Sequence, residues 1–387
     1  MPNDKRTRPP FGTRTLTTIE PVGVLLAAAA LVLASACAEP TPEPQSAEPT
    51  AATQDETVEA SPVDGVSFRS VESNGITMRV AEAGSGPLVI FAHGWPESWY
   101  SWRHQLPAVA AAGFRAVAPD MRGYGSTSAP HAIEAYDTPT LCRDLVGLID
   151  HYGEEQAVLV GHDWGAAVVW MCSLLEPDRV RAVAALSVPY FGRSETDPME
   201  AMRARFGDNF YYILYFQELD EAGNGIADAA FAADPAGLLK RLYASPDTPR
   251  EPPAVTDPLR AAGGFLERIG MPTEFPPWFD QTDLDYYVGE FRRAGFRGGI
   301  NYYRNIGRSW ELTPQLAGAR VTQPALFIAG EQDVVIAGAS QEQLEAGLGA
   351  VTDDLRGVHL LPATGHWTQQ ERPTETNELL LAFLASL

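Results

Sequence analysis

Four continuous apolar runs constrain this chain more than any other feature. PLVIFAHG, FRAVAPD, AVLVGHD and RAVAALSVP are rich in β-branched or small apolar residues and bounded by Gly, Pro or Asp. A strand with one wet face alternates apolar and polar residues. A strand that is apolar throughout is buried on both faces, as in a parallel sheet covered by helices. Helical stretches such as TPTLCRDLVGLIDHYG and the segment after Gly165 lie between the runs. Strand and helix in alternation predict an α/β architecture with a mostly parallel, doubly wound sheet. Ahead of it, VSFRSVES and ITMRVAEA flank Asn74-Gly75, the turn pair that most favours a hairpin.

The alternation stops near Pro189. Residues 191–312 hold Phe/Tyr clusters, Pro-rich breaks and helical patches, with few strand-like runs. PALFIAGEQD and VHLLPATGH then resume the strand pattern, and the apolar helix ETNELLLAFLASL follows. This order predicts one α/β core in two parts, 64–190 and 313–387, interrupted by an inserted helical lid at 191–312. There are no internal repeats.

Residues 1–36 read as a signal peptide rather than as part of a fold. Basic residues precede a 15-residue apolar run, Val22 to Ala36, too short for a bilayer-spanning helix. LASAC resembles the lipobox of bacterial lipoproteins, whose cysteine is acylated, which makes Cys37 a candidate lipidation site. The usual leucine three places before the cysteine is Ala34 here, so ordinary cleavage and free secretion stay open. Residues 37–63 are rich in Pro, Glu, Thr and Ala, with almost no large apolar side chain. Such a segment buries too little surface to offset its ordering entropy and is expected to be a disordered linker. The expectation is an exported chain, lipid-anchored in the cell envelope and touching a membrane only through that anchor.

The formal charge is −22, and without residues 1–36, which hold four basic and two acidic side chains, it falls to about −24. That surface repels phosphate backbones, so no nucleic-acid partner is expected. Beyond Cys37 only Cys142 and Cys172 remain. Both sit in helical stretches, and two buried thiols are expected over a disulfide. No Cys or His spacing suggests a metal site.

The chemistry centres on Gly161-His162-Asp163-Trp164-Gly165, which follows a strand and precedes a helix. A G-x-nucleophile-x-G elbow needs small flanking residues because the chain turns so sharply that its middle residue is strained and projects outward. An aspartate here also suits a plain helix cap. Context favours the nucleophile: one later strand delivers Asp333 at its C-terminal end, with Glu331 as a weaker competitor, and the last strand delivers His366. The order nucleophile, acid, histidine is that of a hydrolytic triad on a doubly wound sheet. Of seven histidines only His366 follows the last strand; His93 and His162 belong to loops beside the site.

HGWPES, DMRGYGST, GHDWG, AGEQD and GHWTQ, with the elbow aspartate, resemble the soluble epoxide hydrolases of plants and animals, which have the α/β-hydrolase fold. The resemblance runs from about residue 65 to the C-terminus. YILYFQE at 212–218 and NYYRN at 301–305 look like the two lid segments that carry that family's catalytic tyrosines. Among eight tyrosines in the insertion, the resemblance selects Tyr212 and Tyr303. It also implies an oxyanion hole from the Trp95 and Trp164 backbone N–H groups, a small apolar epoxide and water as reactants, and no metal or organic cofactor. Trp99, Phe216 and Trp367, beside Trp95 and Trp164, suggest an apolar substrate pocket.

Two rivals stay open. A haloalkane dehalogenase of the same fold shares the aspartate nucleophile and often the following tryptophan, but a halide needs no proton on leaving. Position 95 is Trp rather than the Asn common in many dehalogenases, and both tyrosine segments are present. A non-catalytic envelope binding module is the rival from another class.

Overall fold

The computed structural model describes residues 61–387 apart from Ala337. The expectations for the signal segment, Cys37 and nearly all of the linker lie outside the described residues. Two strands, β1 (Ser67–Ser73) and β2 (Ile76–Gly84), form an antiparallel hairpin. Asn74 and Gly75 both take positive φ, 46° and 76°, the pairing whose twist matches that of the flanking strands.

β3 (Leu88–Ala92), β4 (Arg115–Pro119), β5 (Ala157–His162), β6 (Val180–Leu186), β7 (Val321–Gly330) and β8 (Thr352–Leu361) complete an eight-stranded sheet. Its order is β1-β2-β4-β3-β5-β6-β7-β8, and every pairing from β4 onward is parallel. The continuous apolar runs have the cause read from the sequence. Leu88, Ile90 and Ala92 enter one core layer, while Val89 and Phe91 enter the other. A strand with period 2 and helices on both sides has no position left for a polar residue. β8, at the edge, is only partly buried and begins before the run VHLLP, in the polar stretch TDDLRG.

The order in which strands are added reverses at β3, which lies between β4 on one side and β5 on the other. In open α/β sheets the crevice beyond the C-terminal ends of strands at such a switch point is where ligands bind. The register lines those ends up: Ala92 pairs with Gly161, Leu186 with Ile328 and Gly330 with Leu361. The loops after β3, β5, β7 and β8 therefore leave the sheet along one rim.

Between β6 and β7 the chain is helical, with helices at Pro198–Phe206, Tyr212–Phe216, Ile226–Ala233, Pro235–Leu242, Gln281–Ala294, Arg297–Arg304 and Ile306–Glu311. This insertion is bonded to the core by buried polar groups. Arg79 of β2 binds both Asp120 after β4 and Glu290 of the helix Gln281–Ala294. Asp120 also accepts from the Trp99 and Ser126 backbone N–H groups. Removing Arg79 would leave Asp120 buried without its cation, at about 3–5 kcal/mol. The Tyr302 hydroxyl donates to the Arg122 carbonyl at 3.0 Å. Cys142, on the helix Thr138–His151, and Cys172, on the helix Trp164–Leu175, are buried free thiols, and burial with the neighbouring Cys142 thiol pushes Cys172 up.

Candidate active site

β5 ends in a sharp turn into the helix Trp164–Leu175. Asp163 sits on that turn at φ 51°, ψ −117°, a conformation that costs an L residue on the order of 1–3 kcal/mol. Glycine is required on both sides of it. A Cβ on Gly161 would lie 2.3 Å from the Gly165 carbonyl oxygen, and one on Gly165 would lie 1.9 Å from the Ala92 carbonyl oxygen. The strain projects the carboxylate beyond the strand ends, where its side chain is 15% exposed.

The loop after β3 meets it there. The Trp95 backbone N–H donates to Oδ1 of Asp163 at 2.8 Å, and the Trp95–Pro96 peptide is cis. Trp164 heads the helix that follows, where first-turn N–H groups lack intrahelical partners and the helix dipole favours an anion. Among the described residues the hydrogen bond to the resting carboxylate comes from Trp95 alone of the expected pair.

Asp333 and His366 arrive on the same rim. The His366 Nδ1 lies 3.0 and 3.1 Å from the two Asp333 oxygens, and its Nε2 lies 3.7 Å from Oδ2 of Asp163. Asp333 is buried and also accepts the Val335 N–H, whereas Glu331 is exposed. Burial alone would lower the His366 pKa, but Asp333 and Asp163 outweigh it and hold the imidazole well above its ordinary value. Burial likewise works to raise both carboxylates, and bonding to His366 overturns it, leaving each below the usual range.

Tyr212 opens the helix Tyr212–Phe216 and Tyr303 lies near the end of Arg297–Arg304. Their rings are 5.8 Å apart, and Tyr303 packs edge-on against Trp164 at 5.0 Å. Two bonds lock the helices together: Gln217 Nε2 donates to the Tyr303 carbonyl, and Arg304 Nε to the Phe216 carbonyl, both at 3.0 Å. Asp228 grips Arg304 through both oxygens. Burial raises both phenols above their ordinary pKa, Tyr211 and Asp163 adding to it at Tyr212, Asp163 and Tyr212 at Tyr303. They therefore stay protonated and able to donate.

Asp163, His366, Tyr212, Tyr303, Trp95 and Trp367 line one cavity of about 380 Å³. Its walls are mainly apolar, including Leu242, Phe265, Ile269 and Val335, while exposed Arg250 and Val334 stand at its open end. Two expected pocket residues are not on its wall. Trp99 is fully buried on the other side of the sheet against Phe68, its indole N–H donating to the Tyr286 hydroxyl at 2.6 Å. Phe216 is one layer further out, packed against Tyr303 and Trp95 and supporting the wall rather than forming it. Aromatic character alone does not specify the face on which a ring is buried. No cluster of metal-ligating side chains occurs among the described residues.

Sequence reasoning passed over a second buried acid–histidine pair. Glu97 binds His162 Nδ1 and accepts the Gly94 N–H, while His162 Nε2 faces the His366 carbonyl at 2.8 Å. A carbonyl only accepts, so Nε2 is the donor in that bond. Glu97 and His162 thus tie the loop after β3 to the elbow and to the His366 backbone. HGWPES and GHDWG contain both residues, but their pairing exists only in space.

Nucleophile on the elbow after β5, acid after β7 and histidine after β8 make this an α/β hydrolase by chain order and geometry together. Residues 87–373 match the alpha/beta hydrolase fold family. The chain is 49% identical over 322 residues to epoxide hydrolase A of Mycobacterium tuberculosis, covering 82% of this chain and 97% of that protein. It is 39% identical to epoxide hydrolase 2 of Siraitia grosvenorii, over 83% of this chain and 99% of that one. The crystal structure of epoxide hydrolase A from Mycobacterium thermoresistibile superposes with a TM-score of 0.75 at 49% identity, covering 83% of this chain and 99% of that one. The chain belongs to the epoxide hydrolases of the α/β-hydrolase superfamily.

Proposed function

We propose that the protein converts epoxides to vicinal diols through an ester on Asp163. The observation that carries this reading is the placement of a carboxylate, a histidine and two protonated phenols around one largely apolar cavity. An epoxide carbon is saturated, so attack by an Asp163 oxygen forms a C–O bond while the ring C–O bond breaks. The electron pair leaves on the ring oxygen, which Tyr212 and Tyr303 bind, and one of them transfers its proton to it. His366 then takes a proton from water, and the resulting hydroxide adds to the carbonyl carbon of the ester. The oxyanion so formed is held by the Trp95 and Trp164 N–H groups, each worth on the order of 3 kcal/mol. Collapse expels the product oxygen as an alkoxide, which takes the proton of the added hydroxyl, so the diol leaves and the carboxylate is restored, and the His366 proton returns to the tyrosinate.

The altered charge of Asp163 suits His366 to its task. In the free site two carboxylates raise its pKa. Esterification removes the charge of one of them, so the imidazole releases its proton more readily when a base is needed. The test is direct: purified protein turns over small apolar epoxides to diols and leaves haloalkanes of similar size intact. Halide release without diol formation would support the dehalogenase reading instead.

We also propose that the mature chain begins at Cys37 and is held to a membrane by acylation there. Support comes from the short apolar run followed by LASAC and a Pro- and Glu-rich tether. Cys37→Ala is expected to move the protein from the membrane to the soluble fraction or to stall its processing. Soluble fractionation of both forms would indicate plain secretion.

A further inference from the structure

Glu371 ends the short helix Thr368–Glu371 that follows His366. Its carboxylate holds the backbone on both sides of the histidine: Oε2 accepts the Gly365 N–H and Oε1 the Trp367 N–H, each at 3.0 Å. The loop has no slack at this point, since a Cβ on Gly365 would lie 2.9 Å from Oε1 and 2.8 Å from Pro246 of the lid. Oε2 also accepts the Ser245 hydroxyl of the lid at 3.2 Å, and Ser245 in turn accepts the Trp278 indole N–H at 2.8 Å. A second strut runs parallel to this one, from the Trp367 indole N–H to the Leu242 carbonyl at 2.8 Å. Asp333 sets the far nitrogen of the imidazole, but the direction of Nε2 toward the Asp163 carbonyl depends also on where the peptide chain places the ring.

We propose that Glu371 is a positioning residue for ester hydrolysis, holding the His366 loop by the N–H groups on either side of the base and tying it, through Ser245, to the lid. This rests on His366 being the base of the second half-reaction. The consequence is selective. Ester formation uses Asp163 and the lid phenols and needs no proton transfer by His366. Hydrolysis needs Nε2, a water and the ester carbonyl in line, and a displacement of about 1 Å costs on the order of 100-fold. A carboxylate bonded to two backbone N–H groups and a hydroxyl has no neutral isostere that keeps all three bonds, because the amide nitrogen of glutamine donates and does not accept.

The test compares wild type, Glu371→Gln and Ser245→Ala by stopped-flow ester formation and by single-turnover decay of the ester, followed by mass. Glu371→Gln is expected to form the ester within about twofold of the wild-type rate and to hydrolyse it on the order of 10- to 100-fold more slowly, so the ester accumulates at steady state. Ser245→Ala, which leaves the two backbone bonds in place, should show the same split at a few-fold. It remains informative if the Glu371 variant does not fold. Equal slowing of both half-reactions, or unchanged hydrolysis in either variant, would overturn the positioning role. A wild type that forms no ester would overturn the mechanism on which it rests, a different and separately visible result.

Discussion

Ester formation is expected to slow by about 30- to 1000-fold in Tyr212→Phe or Tyr303→Phe, and by more than about 10⁴-fold in the double variant. The leaving oxygen of an epoxide becomes an alkoxide, a far stronger base than either phenolate. Its charge must be met as the ring opens, and each hydroxyl lost removes a donor worth roughly 2–4 kcal/mol at that moment. With both gone, water is the acid that remains. The variants are clean because the rings stay: Tyr212 and Tyr303 pack against each other and against Phe216 and Trp164 through their faces and edges. The measurement is pre-steady-state ester formation, which the hydrolytic step does not obscure. A double variant that opens epoxides at the wild-type rate would make these tyrosines packing residues. The relation between the two positions is also instructive. Gln217 and Arg304 bond each tyrosine-bearing helix to the other's backbone, so the two donors are set as a unit.

What was legible in the sequence follows from the range of the physics involved. The elbow is local: glycines at 161 and 165 and a strained residue between them are a property of five consecutive positions, which makes Asp163 a candidate, and the later acid and histidine decide it against a plain helix cap. Asp333 and His366 could be named because each follows directly on an apolar strand, and a parallel sheet puts all such ends on one rim. The hairpin at Asn74-Gly75 rests on backbone preference alone. Tyr212 and Tyr303 were different. Eight tyrosines share the insertion, nothing in their spacing ranks them, and only resemblance selected two.

The remainder depended on pairing through space. Trp99 follows β3 closely, but the turn at Ser98 sends its ring to the opposite layer of the sheet from Asp163. Glu97 and His162 are 65 residues apart, and only the approach of β3 to β5 brings them into contact. Arg241 and Arg250, in a chain of strong negative charge, border the cavity from a lid segment that carries no motif. β8 starts in a polar stretch because an edge strand needs only some of its residues to be apolar.

His366→Gln is expected to stop the reaction halfway. The variant keeps a polar side chain of similar reach, so Asp163 should still be alkylated, but an amide is no base, and loss of general-base catalysis costs about 10²- to 10⁴-fold in the second step. One equivalent of substrate should therefore remain on the protein, visible as a mass increment on the peptide that contains Asp163. In wild type the same ester is cleaved by water at its carbonyl carbon, so turnover in ¹⁸O-water must place label in the Asp163 carboxylate. The pH dependence has a definite sign. Asp163 is held below the usual carboxylate range, so ester formation stays insensitive as pH falls from about 8 to 5. Hydrolysis requires neutral His366, and an imidazole ordinarily changes charge between about pH 5 and 8, so hydrolysis slows as pH falls through that range. The ester should consequently accumulate in wild-type enzyme at low pH and vanish at high pH, while in His366→Gln it persists at both. Label confined to the diol after many turnovers, with none in Asp163, would mean that water attacks the epoxide carbon directly and that no ester is formed.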